Sequence, residues 1–319
     1  IELGKALIRA AKEHGADAIK FQTYRAERLS TRTAPRYWVE PADPNGTQFD
    51  TFAKLDGMDE TGHRELQAYA RKVGILWLST PFDEAAADFL DALGVPAFKT
   101  ASADMTCHPF LEHVARKGKP MFLSTGTATL GEVEEAVGVI RDAGNDQIVL
   151  LHCTLSYPCP PEAINLRAMV TMREVFPQYP VGLSDHSLGI AVPIAAAALG
   201  ACVIEKHFTV DKRLPGSPDH HLSVDPLELR QMVDGIRAAE AALGSPRKGP
   251  VPAEMAAYTL ARRSLVAARE IPRGTVITRE MLTYKRPGTG IPPKFLALIV
   301  GRTARVDIPP DQVLTWEMV

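Results

Sequence analysis

The feature that most constrains the fold is a regular alternation of short apolar segments with longer amphipathic ones. Seven apolar or β-branched segments predict strands, at residues 17–22, 75–80, 97–102, 121–126, 148–153, 181–185 and 202–208. The segments between them have the apolar spacing of helices, and several end in Gly, which commonly terminates a helix. This alternation predicts parallel strands joined by right-handed helical crossovers.

Two architectures are compatible with such an alternation. The first is a (β/α)₈ TIM barrel, in which the chain opens on a helix and the first strand lies before Ile1 or is absent. The second is a doubly wound open sheet, which usually carries a Gly-rich nucleotide-binding loop after a strand. No predicted strand is followed by such a loop, so the α/β barrel is favoured.

A change of pattern near residue 246 predicts a second domain. The last helical pattern, at 225–244, is followed by a segment rich in Pro, Gly and Lys, which predicts a linker at 246–256. Residues 257–319 contain short β segments and turns, and the segments IPRGTVIT and IPPDQVLT resemble each other. We therefore expect a barrel domain at 1–245 and a small β-rich domain at 257–319.

Composition narrows the classes of partner. The net charge of −2 and the pI near 6.6 give no overall attraction for nucleic acid or for an anionic membrane. No apolar run approaches the roughly 20 residues of a membrane span, and no signal-peptide pattern is visible. The four cysteines lack zinc-type spacing, so we expect free thiols in a cytoplasmic protein, with Cys153 and Cys202 buried in strands.

Polar side chains at the carboxyl ends of the strands are the candidates for a site, because parallel barrels place their active sites there. Lys20 and Lys99 lie in two apolar strands, and hydroxyl groups end others, at Thr80, Ser102, Ser124 and Ser184. Ammonium and hydroxyl groups together suit a phosphate or a carboxylate. Polar strand ends can also simply face solvent, but two lysines inside apolar strands favour an anion site.

Histidines end two neighbouring predicted strands, at His186 and His207. Two neutral imidazoles, with oxygens from water or substrate, suit a first-row divalent metal, although on the pattern alone a structural role is equally well supported. In the turn sequence SPDHH, Asp219 is a candidate for binding a polar substrate. We expect the adjacent His220 and His221 to be solvated loop residues.

One predicted loop is unusually long, from Tyr24 to Met58. Loops of this length are commonly functional or disordered. Its segment RYWVEP, at 36–41, carries aromatic and charged residues that suit the cover of a site.

Taken in order, a set of motifs resembles the sialic acid synthase family, which comprises N-acetylneuraminate, legionaminate and pseudaminate synthases. They are IKFQTY, STPFD, FKTAS, STGTATLGE, LLHCTLSYPCPPE, VGLSDHSLGI, VIEKHFTVDKRLPGSPDH and KRPGTGI. The resemblance covers essentially the whole chain. It implies a (β/α)₈ barrel followed by an antifreeze-like SAF domain, in a domain-swapped homodimer.

The resemblance also implies an activity. Phosphoenolpyruvate would condense with an N-acyl-mannosamine-type aldose, giving a nine-carbon 2-keto acid and phosphate, in the presence of Mn²⁺ or Mg²⁺. The alternatives are synthesis of N,N'-diacetyllegionaminate, pseudaminate or a spore-coat polysaccharide precursor. An alternative of another class is a catalytically inactive sugar-binding protein.

Matched position by position, the resemblance assigns roles to individual residues. The phosphoenolpyruvate contacts fall on Lys20, Thr80, Lys99, Ser102, Ser124 and Ser184, of which the two lysines are catalytic. The sugar contacts fall on Asp104, Tyr157, Asp219 and, from the second domain of a neighbouring subunit, Arg286. The metal ligands fall on His186 and His207. The family's first-strand glutamate and Asn-His pair have no counterpart in this sequence.

Overall fold

The computed structural model describes residues 1–38, 43 and 45–319, and the chain forms two compact units, Ile1–Gly244 and Ser245–Val319. Each unit has its own apolar core. In the described part of the chain, no helix is both long and apolar enough to cross a membrane.

The seven predicted strands are confirmed, and all of them are parallel. They are β1 Ala18–Thr23, β2 Leu76–Pro81, β3 Phe98–Thr100, β4 Met121–Ser124, β5 Ile148–Cys153, β6 Val181–Asp185 and β7 Ile204–Lys206. β1 pairs with β2, β3 to β7 form a second sheet in chain order, and β2 lies beside β3. The α/β fold is thus confirmed, whereas closure into an eight-stranded barrel stays a prediction.

Helices connect these strands as the sequence pattern predicts. They are α1 Glu2–Glu13, α2 Ala26–Leu29, α3 Gln48–Leu55, α4 Glu60–Val73, α5 Glu84–Leu93, α6 His108–Ala115, α7 Leu130–Asp142, α8 Pro161–Ile164, α9 Leu166–Val175, α10 Ala191–Ala198 and α11 Pro226–Leu243. Their ends follow capping chemistry: Asp59 accepts a hydrogen bond from the first turn of α4, and Gly74 ends it with a φ of 80°. Their apolar faces pack on the sheets.

The second unit contains α12 Met255–Leu260, β8 Ser264–Ala267, β9 Leu282–Lys285 and α13 Leu296–Ile299. Short 3₁₀ helices in the two units lie at Ser102–Asp104, Pro252–Glu254, Arg279–Met281, Pro293–Phe295 and Trp316–Met318. β8 and β9 are antiparallel. The two similar sequence segments start at Ile271 and Ile308, which exchange a pair of backbone hydrogen bonds of 2.9 Å. The internal resemblance therefore corresponds to a direct pairing.

The two strand cysteines behave differently from each other. Cys153, in β5, is buried as predicted, whereas the prediction for Cys202 is wrong, because this residue is exposed. β7 begins only at Ile204, so Cys202 precedes the strand instead of packing inside it.

The long segment between β1 and α4 contains α2 and α3 and is held by aromatic contacts. Tyr24 packs edge-on against Phe52 and Phe82, with ring centroids 5.7 and 5.8 Å apart, and Trp38 extends the cluster from Phe52 to Tyr37. Of the segment RYWVEP, residues 39–41 lie outside the described residues.

Candidate active site

Two lysines from different strands converge on one carboxylate. Lys20 of β1 has its Nζ 3.7 Å from Oε1 of Glu205 on β7, and Lys99 of β3 has its Nζ 3.9 Å from Oε2 of the same residue. Lys99 is only 4% exposed and donates a 2.8 Å hydrogen bond to the carbonyl of Thr100. Two ammonium groups against one carboxylate leave a net positive charge, which suits an anion.

Burial and neighbouring charges have opposite effects on the pKa values of Lys99 and Glu205. Burial lowers the pKa of Lys99, and the nearby Glu205 carboxylate offsets part of that effect. Burial by itself would raise the pKa of Glu205, but attraction from Lys99 and Lys20 holds it below its ordinary value. The carboxylate is therefore ionised at neutral pH, and it stabilises positive charge at the base of the site.

The predicted hydroxyl groups lie at or near the ends of their strands, in two kinds of environment. Ser184 Oγ is 3.5 Å from Glu205 Oε1, and Ser102 Oγ accepts a 3.0 Å hydrogen bond from the amide of Gly126. Thr80 Oγ1 and Ser124 Oγ are buried without a hydrogen-bond partner in the described part of the chain. Because an unpaired buried hydroxyl costs free energy unless water or a ligand supplies a partner, these two groups are available to a polar ligand.

Asp104 presents a third buried polar atom of this kind. Its Oδ2 has no hydrogen-bond partner among the described residues. Burial raises the pKa of Asp104 to about 6, against the opposing effects of the Ala101 backbone and of Lys99. A carboxyl group with this pKa is mostly ionised at pH 7 and then accepts hydrogen bonds, which suits the hydroxyl and amide donors of a sugar.

The two predicted metal-ligating histidines lie side by side. The ring centroids of His186 and His207 are 5.2 Å apart, and the ring of Tyr157 lies 4.2 Å from the first and 6.1 Å from the second. His186 Nδ1 donates a 2.9 Å hydrogen bond to the carbonyl of Thr154. Its Nε2 is left with a lone pair, as metal-ligating histidines require.

Electrostatics keep both imidazoles neutral. Burial lowers the pKa of His186 to about 4, with His207 adding to the effect. The pKa of His207 is also about 4, mainly through burial and then through Lys20. His207 Nδ1 lies 3.7 Å from Asp219 Oδ2, which is too distant for a hydrogen bond.

This donor set fits a divalent ion that takes its remaining ligands from substrate and water. Within the described residues, no group of three or more His, Cys, Asp or Glu side chains could hold a metal. Two neutral imidazoles, of which His186 has its Nδ1 bonded to a backbone carbonyl, nevertheless suit a first-row divalent metal whose remaining ligands are oxygens of substrate and water.

The remaining predicted sugar contacts lie in different parts of the chain. Tyr157 and Asp219 belong to the histidine cluster, and burial raises the pKa of both side chains. Arg286 is exposed in the second unit, directly after β9. Of the histidines expected to be solvated, His221 is exposed, whereas His220 Nδ1 contacts Thr209 Oγ1 at 2.9 Å.

Glu205 is a strand-end residue to which the sequence pattern assigns no role, whereas the structure places its carboxylate against both lysines. Its position does carry a signal: Glu205 and His207 are two residues apart in the β7 segment, and side chains with this spacing face the same side of a strand.

The profile of the NeuB family matches residues 7–248, and that of the SAF domain matches residues 262–319. The family resemblance read from the motifs is thus confirmed. The chain is 43% identical over 325 residues to an N,N'-diacetyllegionaminic acid synthase of Legionella pneumophila, covering 100% of this chain and 90% of that protein.

Two further relatives extend the comparison. The chain is 38% identical to N-acetylneuraminate-9-phosphate synthase of Homo sapiens, over 100% of this chain and 89% of the human one. Among solved structures, it resembles an N-acetylneuraminic acid synthetase of Leptospira borgpetersenii in complex with citrate. That comparison has a TM-score of 0.70 and 32% identity, and it covers 80% of this chain and 84% of the other.

Proposed function

Because the chain belongs to the NeuB family and carries a SAF domain, we propose that it condenses phosphoenolpyruvate with a 2-acetamido aldose such as N-acetylmannosamine. The products are a nine-carbon 2-keto acid of the N-acetylneuraminate type and phosphate. The observation that supports this most strongly is the pair of Lys20 and Lys99 on Glu205, beside the histidine pair. The reaction is a transferase step in surface carbohydrate biosynthesis.

The anion half of the site suits phosphoenolpyruvate. Lys20 and Lys99 would hold its phosphate and carboxylate, and the hydroxyls of Thr80, Ser102, Ser124 and Ser184 would direct hydrogen bonds to their oxygens. Two of these hydroxyls are buried without a partner among the described residues, so a bound oxyanion would relieve their cost.

The sugar half of the site suits an open-chain amino sugar. Asp104, Tyr157 and Asp219 would bind its hydroxyl and amide groups, and Arg286 would reach it from the second domain of a partner subunit. A divalent ion, Mn²⁺ or Mg²⁺, held by His186 and His207 would polarise the aldehyde as a Lewis acid.

The reaction balances with water as the third reactant, since one of its protons goes to the former aldehyde oxygen and the other to the departing phosphate. C3 of the enol forms a bond to the aldehyde carbon, water adds at C2, and the tetrahedral intermediate expels phosphate to leave the keto group. Lys20 and Lys99 hold the phosphate-bearing reactant and stabilise negative charge on the departing phosphate. Holding both reactants face to face supplies a large share of the rate gain.

The parallel strands suit a complete (β/α)₈ barrel. In the described residues, β1 and β7 each pair with a strand on one side only, and their side chains Lys20 and Glu205 meet. We propose that one more strand lies between β1 and β7, where it would add polar side chains to this edge of the site.

A diacetylated sugar is the second candidate substrate. The observation in its favour is the 43% identity to the Legionella synthase, against 38% to the human one. A panel of singly and doubly acetylated aldoses, with and without a 6-phosphate, separates the candidates by their kcat/KM.

Phosphate release from the full-length protein tests the proposal. With phosphoenolpyruvate, Mn²⁺ and the sugar panel, we expect release with at least one 2-acetamido aldose. His207→Ala should abolish the Mn²⁺-dependent turnover and retain the fold, whereas His113→Ala, a matched change at a partly exposed histidine of α6, should not alter turnover. No release with any sugar of the panel would refute the proposed activity.

A further inference from the structure

Strands β6 and β7 end beside each other, and their last paired residues carry opposite charges. The ladder joins Ser184 to Glu205 and then Asp185 to Lys206. Because successive side chains point to opposite faces of a strand, the first pair faces the lysines of the anion site and the second pair lies on the other face. This second pair therefore has no contact role in the reaction proposed above.

The Asp185–Lys206 pair is the last link between the two strands before the histidines. One residue further on, the carbonyl of His186 accepts a hydrogen bond from the amide of Cys159, and that of His207 accepts one from Val224. The backbones of the two strands thus hydrogen-bond to different neighbours at the histidines, although the two imidazoles lie side by side.

The pair itself is short, buried and connected to a third residue. Lys206 Nζ lies 2.6 Å from Asp185 Oδ2, and the two side chains are 2% and 1% exposed. The Asp185 carboxylate also accepts bonds from the amide and the hydroxyl of Ser187, at 3.0 and 2.8 Å, and Lys206 donates to the Ser187 carbonyl. Ser187 follows His186 directly, so the network encloses the backbone of that histidine.

We propose that Asp185 and Lys206 are positioning residues that hold His186 and His207 at the spacing a divalent ion requires. Removing two charges from water is costly, and a buried ion pair contributes little net stability, so a role in fixing geometry accounts for it better than a role in stability. The inference rests on the proposed function, because it presupposes a metal between the two imidazoles.

The test compares metal affinity with anion affinity in the full-length protein. In the double variant Asp185→Asn/Lys206→Met both charges are removed together, so neither is left unpaired, and the Asn oxygen still accepts from Ser187. We expect its Mn²⁺ dissociation constant, measured by electron paramagnetic resonance of free Mn²⁺, to rise about tenfold. Its phosphoenolpyruvate affinity, measured by calorimetry, should stay unchanged, which a general loss of structure would not allow.

Two further variants complete the design. Lys119→Met removes a partly buried ion pair with Asp91 away from the site, and it should leave both affinities unchanged. Ser187→Ala removes one hydrogen bond without unpairing a charge, and we expect a smaller rise in the Mn²⁺ constant, on the order of threefold. If the double variant does not fold, Ser187→Ala is the variant that tests the positioning role.

The outcomes separate the two proposals. Wild-type protein that binds no Mn²⁺ would overturn the metal site of the proposed function and the positioning role with it. Wild-type binding that is lost in His207→Ala but fully retained in the folded double variant, or in Ser187→Ala alone, would overturn only the positioning role.

Discussion

At the scale of single residues, the site contains several polar groups whose burial costs free energy. Lys99 is a charged side chain with 4% exposure, and burial lowers its pKa. Thr80 and Ser124 have buried hydroxyls without partners among the described residues. Desolvation of this kind is what a preorganised anion site requires, because the ligand then replaces the missing interactions.

Substitution of Lys99 tests its proposed role by comparing phosphoenolpyruvate affinity with the free energy of unfolding. Lys99→Met should weaken phosphoenolpyruvate binding roughly 100-fold, the order expected for hydrogen bonds to a charged group. The free energy of unfolding should change little, because removal of a buried ammonium group offsets the loss of its attraction to Glu205, which keeps Lys20 as a partner. Calorimetric titration and urea unfolding measure the two quantities, with Lys72→Met on the exposed end of α4 as control. Destabilisation together with unchanged binding would contradict this assignment.

Asp104 predicts a pH dependence of stability. Its pKa is about 6 in the folded protein and 3.8 in the reference state, so the folded state favours its protonated form. This contribution is fully present below pH 3.8 and is lost as the pH rises through 6. Asp104→Asn should therefore stabilise the protein at pH 8 relative to pH 4 by on the order of 3 kcal/mol.

Urea unfolding of wild type and variant at both pH values measures this difference. Asp142→Asn, at the exposed end of α7, is the matched control and should show no such difference between the two pH values. Equal effects of Asp104→Asn at pH 4 and pH 8 would show that the carboxyl group is not desolvated in the folded protein.

At the scale of elements, the register of β6 and β7 decides which side chains meet. The register depends on close backbone approach at Gly182, where an added Cβ would lie 2.4 Å from the carbonyl oxygen of Val203. Gly182 therefore allows β7 to lie against β6, and the Glu205 and His207 side chains reach the site as a consequence. A sequence pattern can indicate a strand here but gives no information on this approach.

A pair of glycine substitutions tests the argument. Gly182→Ala should lower the free energy of unfolding by about 2–3 kcal/mol, because the new methyl group meets backbone that must move. Gly138→Ala, inside α7 where no described atom beyond the local helix backbone and adjacent residues lies within 4 Å of the added Cβ, should raise it by roughly 0.5–1 kcal/mol. Chemical denaturation measures both, and a neutral Gly182→Ala variant would contradict the close approach.

At the scale of the whole molecule, two units with separate cores carry different parts of the proposed site. The first unit carries the lysines and histidines, and the second carries Arg286 beside β9. The proposed domain-swapped homodimer would deliver this arginine to the partner subunit. An exposed arginine near a Gly-rich turn does not by itself indicate a function, so the role proposed for Arg286 depends on the proposed homodimer.

Complementation between inactive variants tests the swap. His207→Ala and Arg286→Ala homodimers should each be nearly inactive. When the two are refolded together, a mixed dimer contains one barrel with both residues intact, so we expect activity to return to about a quarter of wild type. Recovery should follow the mixing ratio. No recovery in confirmed mixed dimers would show that Arg286 does not serve the neighbouring site.

The sequence by itself determined the alternation of strands and helices and supplied the strand-end candidates. These follow from local chemistry: apolar periodicity, helix caps and turn residues depend on neighbours a few positions away. This pattern predicts the seven strands. It does not predict that Cys202 is exposed, because the length of a strand depends on what the strand pairs with.

Only the tertiary structure decided how those residues act together. It placed Glu205 between Lys20 and Lys99, which are 79 residues apart in the chain, and it joined Asp185 to Lys206 on the opposite face. Register between strands and desolvation are properties of long-range packing, so no local pattern specifies them. The sequence therefore identified candidate groups at the strand ends, and packing determined their spacing and the position of Glu205 among them.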